Sequence, residues 1–377
     1  MIQMNCDSLF EPVTLGSLTL RNRLVMAPMT RKRSPGGVPD QAVADYYRRR
    51  SEGGIGMVIT EGTYVDHPTA QAFAPPSYEN IPTFHGAEAL RGWERVRQAV
   101  HAGGAKIVPQ LWHVGEIRRQ GMAPDPDMPG FGPVDIREEG ILTVRGMTEV
   151  DIDTIAAAYA RSAYHARELG FDGVAIHGAH GYLIDQFLWP TLNTRQDGYN
   201  GGIAARARVG CHIISAIREA VGPDFPIIFR FSQWKMTNYD ARIAETPEEL
   251  NILLAALRRA GVDIFDASTR RFWEPAFPDS SDSLAAWTRR LSGCPTIAVG
   301  SIGLDQPHQS KHFRTSTSID ANVTDLGNLV EAMGRGDFDL AAIGRAILAD
   351  PDWVTKVQAG RMQDIVPFQR DHLERYF

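Results

Sequence analysis

Two imidazoles and a phenol stand close together in HGAHGY, residues 177–182, just past the short apolar run GVAI. A polar string follows, Asn193, Thr194, Arg195, Asp197 and Tyr199, that core packing does not require. His177 and His180 admit three chemistries. They could be satisfied structural side chains. They could ligate zinc, but a catalytic zinc wants a third protein ligand, and no HxH or HExxH accompanies them. They could donate two hydrogen bonds to one carbonyl oxygen and stabilise charge developing on it. Tyr182 would then be a nearby phenol able to donate a proton.

Other chemistry-bearing residues sit at the ends of apolar runs. Gly300-Ser301-Ile302-Gly303 and Gly344-Arg345 offer glycines that let backbone N–H groups close on a phosphate, with an arginine fork beside them. Gln110 presents a donor and an acceptor in one plane, which suits the edge of a heterocycle. Arg230 lies inside PIIFRF, where a charge is awkward unless it is paired or faces a ligand. An internal salt bridge to Glu61 or another carboxylate is the bland alternative for it.

These residues need elements to position them. Eight apolar runs read as strands: 24–29, 56–62, 106–112, 173–177, 226–231, 262–268, 295–300 and 338–344. Most are apolar throughout, as strands of a parallel sheet buried on both faces are. Amphipathic helix candidates lie between them. One, opened by Thr148 and closed by Gly170, carries Ile152, Ile155, Ala156, Tyr159, Ala163 and Ala166 on one face. Eight such repeats predict an α/β fold, a single (β/α)8 TIM barrel over residues 1–377. An open doubly wound sheet would want GxGxxG after the first strand, where the chain instead reads APMTRKRS. Long segments at 114–147, 268–282 and 301–324 follow strands, so they are expected on the C-terminal face, the first as a capping loop after strand three.

Composition bounds the rest. Hydrophobic residues make up 43% of 377, enough for a large core. A net charge of −6 gives no basic footprint for nucleic acid. Cys6, Cys211 and Cys294 form no CxxC pair, so no zinc ribbon or iron–sulfur cluster is encoded, and reduced thiols are expected. The N-terminus lacks a signal-peptide pattern and no apolar run could cross a bilayer. A soluble cytoplasmic protein without membrane partners is expected, either monomer or homodimer.

LFEPVTLGSLTLRNRLVMAPMTR, ITEGTYV, QLWHVG, HGAHGYLIDQFLWPTLNTRQDGY, FRFS and IGRAILADPDWVTKVQAG occur in that order. This set resembles the Old Yellow Enzyme family, FMN-containing ene-reductases built on a TIM barrel. The resemblance implies a tightly but non-covalently bound FMN and NADPH or NADH as reductant. The substrate would be an enone or enal, an α,β-unsaturated carbonyl compound. Ala27, Pro28, Met29 and Thr30 would lie under the flavin, with Thr30 near its reactive edge. Gly62 would approach the ring by its backbone. Gln110 would meet the pyrimidine edge and Arg230 the N1–O2 side. Gly300 to Gly303, Gly344 and Arg345 would cradle the phosphate. His177 and His180 would bind the substrate carbonyl, His177 also facing the flavin, with Trp112 beside the substrate and Tyr182 as proton donor. The chain departs from the family pattern at YNGG after Tyr199, at Glu116, and in FSQWKMTNYDARIAETPEE.

Overall fold

The computed structural model describes residues 6–73, 79–312, 315–316 and 319–376. Its centre is a closed barrel of eight parallel strands. In chain order they are β1 (Leu24–Met26), β2 (Met57–Tyr64), β3 (Lys106–Trp112), β4 (Val174–His180), β5 (Ile227–Lys235), β6 (Ile264–Ser268), β7 (Thr296–Val299) and β8 (Leu340–Ile343). Each pairs with its neighbours in sequence, and β8 closes on β1.

Side chains alternate along a strand, so every second residue points into the barrel. The inward apolar layer contains Val25, Met57, Ile59, Val108, Ala175, Ile228, Ile264, Ile297 and Leu340, all buried. Leu18 and Leu20, from a small hairpin (Val13–Leu15 with Leu18–Leu20), join the same cluster. Two residues above this layer the inward positions turn polar: Gln110 over Val108, His177 over Ala175, Arg230 over Ile228, Asp266 over Ile264. The apolar layer thus becomes the floor of a polar cup.

Seven main helices surround the barrel: α1 (Gln41–Glu52), α2 (Ala87–Ala102), α3 (Glu149–Glu168), α4 (Arg208–Val221), α5 (Pro247–Ala260), α6 (Leu284–Ser292) and α7 (Gly327–Gly334). The α3 helix, which delivers the chain to β4, starts where the sequence signals it. Thr148 Oγ1 accepts from Asp151 N–H, and the Asp151 carboxylate accepts from Thr148 N–H. Its six apolar-face residues named above are all buried.

The structure differs from the sequence expectation in several places. The first strand stops at Met26, before Pro28. β4 runs on through His180 and β5 through Lys235, with an irregularity between Phe231 and Lys235. α6 was not anticipated, although Ser283 caps its start and left-handed Gly293 ends it. Residues 114–147 contain a three-stranded sheet (Gly130–Gly132, Ile136–Glu138, Ile141–Gly146). The buried Arg118 guanidinium pins its base by donating to the carbonyls of Gln71, Met122, Ala123 and Asp125. Among the described residues no helix is long and apolar enough to cross a membrane.

Candidate active site

A cavity of about 1180 Å3 opens at the C-terminal end of the strands. Its walls include Gln110, Trp112, His177, His180, Tyr182 and Arg230. The rings of His177 and His180 lie 5.2 Å apart and nearly perpendicular. Tyr182 stands edge-on at 4.8 Å from His177 and 4.8 Å from Trp112. Its hydroxyl meets Met236 Sδ at 3.6 Å. His180 and Gly181 both adopt left-handed backbone, with φ of 64° and 89°. Asp185 Oδ2 holds this turn by accepting from Gly181 N–H at 2.6 Å, and its Oδ1 is paired with buried Lys235 at 2.7 Å.

Both histidines are neutral at physiological pH. Burial, and then the nearby Arg230 charge, push His177 down to about 3. Burial also holds His180 well below the ordinary imidazole value, aided by His177, Arg230, Lys235 and His308. Neutral imidazole can still donate from one nitrogen. His177 Nδ1 accepts from Ala179 N–H at 3.4 Å, so the ring proton belongs on Nε2. His180 Nε2 contacts Ser268 Oγ at 2.8 Å. Two neutral donors against one cavity wall can polarise a carbonyl without carrying a charge of their own.

Arg230 is both paired and cavity-facing. Its Nη1 donates to Asp266 Oδ2 at 2.5 Å, so its partner is Asp266 and not Glu61. Its Nη2 donates to Ser268 Oγ at 3.2 Å. Glu61 is turned aside by a bulge between Ile59 and Gly62. There it accepts from the N–H groups of Arg31 and Lys32. The close packing of Gly62 explains its residue type: a Cβ would stand 2.7 Å from the Trp112 ring.

At the far side of the cavity Gly300, Ser301, Ile302, Gly344 and Arg345 come together. Arg345 Nη2 donates to the Gln306 carbonyl, while Nη1 is buried with no partner among the described residues. No described carboxylate lies within ion-pair distance, and burial lowers this guanidinium to about 10. Where a Gly344 Cβ would stand, the nearest protein atom is 3.8 Å away.

The cavity wall also carries the remaining sequence candidates Ala27, Pro28, Met29, Thr30 and Gly62. Gly303 does not reach it. With φ of 71° this glycine turns the chain under Trp353, whose ring lies 3.1 Å from where its Cβ would be. No residue of 114–147 lines the cavity either. That segment is tied instead to the loop after β4, where Arg195 donates to the carbonyls of Pro133 and Met147. Sequence reasoning missed Trp234, Met236, Ser268, Arg270 and the C-terminal Arg370 and Glu374. Ser268 closed a run already read as a strand, and Trp234 lay in a noted departure, so both had a signal. The C-terminal pair had none. Among the described residues no group of three His, Cys, Asp or Glu could hold a metal.

The unsatisfied donors define what would fit. Among the described residues Gln110 Nε2 and Arg230 Nε are buried without partners at one end, and Arg345 Nη1 at the other. A flat heterocycle with acceptors on its edge and a phosphate on its tail meets that demand. The chain is 31% identical to the NADH oxidase of Thermoanaerobacter brockii over 95% of its own length, but spans only 52% of that protein. It is 31% identical to 12-oxophytodienoate reductase 7 of Oryza sativa subsp. japonica, covering 92% of this chain and 87% of that one. It superposes on morphinone reductase in complex with tetrahydroNAD with a TM-score of 0.76 at 27% identity, covering 94% and 91% of the two chains. The profile of the NADH:flavin oxidoreductase / NADH oxidase family matches residues 8–364, and the chain belongs to that family, the one its motifs resemble as Old Yellow Enzyme.

Proposed function

We propose that this chain is an FMN-dependent ene-reductase, reducing the activated C=C bond of α,β-unsaturated carbonyl compounds with NADPH or NADH in a ping-pong reaction. The observation that carries the reading is the clustering of two neutral histidines and Tyr182 on one wall of a cavity whose floor holds the unpaired donors Gln110 Nε2 and Arg230 Nε.

FMN, when bound, would supply a two-electron carrier for hydride chemistry. Gln110 and Arg230 would hold its polar edge, and Arg345 with Gly300, Ser301 and Gly344 its phosphate. His177 and His180 bind the substrate carbonyl oxygen and draw electron density from the conjugated bond, so Cβ becomes electrophilic. Tyr182 delivers a proton to Cα. Trp112, packed against Tyr182, fixes the angle of that phenol. One cavity serves reductant and substrate in turn, which is the basis of the ping-pong order.

The test is anaerobic stopped flow on the holoenzyme and on Tyr182→Phe. NAD(P)H should bleach both at the same rate. Cyclohexenone should restore the colour of the wild type, and of the variant on the order of a hundredfold more slowly. A wild type that cyclohexenone leaves bleached, or a variant slowed equally in both halves, refutes the reading.

A further inference from the structure

Ser268 is 2% exposed, at the last residue of β6, inward-facing and two positions above Asp266. Its hydroxyl has one proton to give and can accept. Arg230 Nη2, which can only donate, occupies it as an acceptor at 3.2 Å. Its other side-chain neighbour is His180 Nε2 at 2.8 Å. Among the described residues no other acceptor stands within hydrogen-bond reach of the Ser268 hydroxyl. If His180 Nε2 carried the proton, Ser268 would accept twice and its own proton would find no protein partner. If Nε2 accepts from Ser268, the Ser268 hydroxyl accepts once, from Arg230, and donates once, to His180. The His180 proton then sits on Nδ1, the form free histidine disfavours.

Resting on the ene-reductase reading for its functional meaning, we propose that Ser268 is a positioning residue. It fixes His180 as the Nδ1–H tautomer and joins the guanidinium facing the cofactor to the imidazole facing the substrate. The order is Asp266 to Arg230 to Ser268 to His180, each link a hydrogen bond between side chains. Hydrogen bonds in such a chain polarise one another. Arg230 therefore strengthens the Ser268 hydroxyl as a donor, and this in turn holds the His180 proton on the opposite nitrogen. His177 is fixed differently, by the backbone N–H of Ala179. The two imidazoles are thus locked in opposite tautomers, by a side-chain relay in one case and by the main chain in the other.

The test is two-bond 1H–15N correlation on holoenzyme carrying 15N-histidine, with His180→Gln used to assign the resonances. The wild type should show His180 protonated at Nδ1. In Ser268→Ala the proton should move, wholly or in part, to Nε2, and Ser268→Thr should restore Nδ1. Binding of p-hydroxybenzaldehyde, read from its long-wavelength absorbance against the flavin, should weaken about tenfold in Ser268→Ala, the loss of one aligned hydrogen bond, with flavin content unchanged. A wild-type His180 protonated at Nε2, or a Ser268→Ala protein that keeps Nδ1–H, overturns the proposal. Should Ser268→Ala fail to fold, the wild-type tautomer decides alone. A wild type with the Nδ1–H form that reduces no enone would sink the ene-reductase reading and leave the Ser268 assignment standing.

Discussion

The protonation state of His177 gives the sharpest test of the site. Its ring lies over the barrel core, 7% exposed, and the Arg230 charge stands nearby. Both effects disfavour an imidazolium, and the pKa falls to about 3. A histidine with its ordinary value would be about three-quarters protonated at pH 6; with a pKa near 3, roughly one molecule in a thousand is. If neutral imidazoles hold the carbonyl, kcat/KM for cyclohexenone should not change through histidine ionisation between pH 5.5 and pH 8. The perturbation is His177→Asn, which keeps a neutral donor, beside His177→Ala, which removes it. Losing one donor to the developing oxyanion costs on the order of 3 kcal/mol, about a hundredfold in rate. The alanine variant should therefore drop by that factor at every pH, while the asparagine variant keeps the wild-type profile. An inflection near pH 6.5 in the wild type that disappears in His177→Asn would refute a neutral clamp. An inflection near pH 7 that survives in His177→Asn would point to Glu61, and Glu61→Gln would identify it.

Glu61 itself should set a pH dependence of stability. Burial raises its carboxyl from 4.5 to about 7, against the backbone donors of Arg31 and Lys32. The folded state then keeps a proton that the unfolded chain releases, so this group's contribution is complete below pH 4.5 and is lost as pH rises through 7. Roughly 2.5 kcal/mol should separate pH 5 from pH 8 in urea unfolding, and Glu61→Gln should flatten that difference; equal slopes in both proteins would show that Glu61 titrates normally. Lys235→Met leaves the Asp185 carboxylate buried and unpaired, a loss of about 3–5 kcal/mol. Adding Asp185→Asn keeps an acceptor for Gly181 N–H and should recover most of it; equal melting temperatures for single and double variants would contradict this. Gln110→Leu removes a buried amide donor that has no partner among the described residues. Apo stability should hold while FMN affinity falls about tenfold, the value of one hydrogen bond, and unchanged FMN affinity on fluorescence titration would remove Gln110 from the cofactor site.

The barrel was legible because parallel strands are written as unbroken apolar runs, and all eight were found within a few residues of their observed bounds. Strand ends were less legible. β4 and β5 continue past the expected run into GAH and SQWK, and no single-strand pattern separates a polar strand end from a loop. Thr30, Gln110, His177, Arg230 and Arg345, all on the cavity wall, stand out in the sequence because each is a polar residue interrupting, closing or directly following such a run. Asp266, in the run VDIFDAS, carries the same signal. The bulge that removes Glu61 from the cup depends on register against β3, which one strand's sequence does not contain. Arg370 and Glu374 reach the cavity only because the chain returns to the barrel mouth after β8.

One physical consequence ties the two halves of the site together. Arg230 depresses His177 through its charge and reaches His180 through Ser268, while its Nε, without a partner among the described residues, would be left for the cofactor edge. A guanidinium can do all three because its donors diverge in a fixed plane; an ammonium at the same place offers a point charge and no such fork. Arg230→Lys would keep the positive charge and so keep His177 neutral. It would release Ser268, and with it the His180 tautomer, even in molecules that still hold the cofactor. Loss of activity at position 230 therefore carries two separable parts, one read in flavin retention and one in the His180 proton.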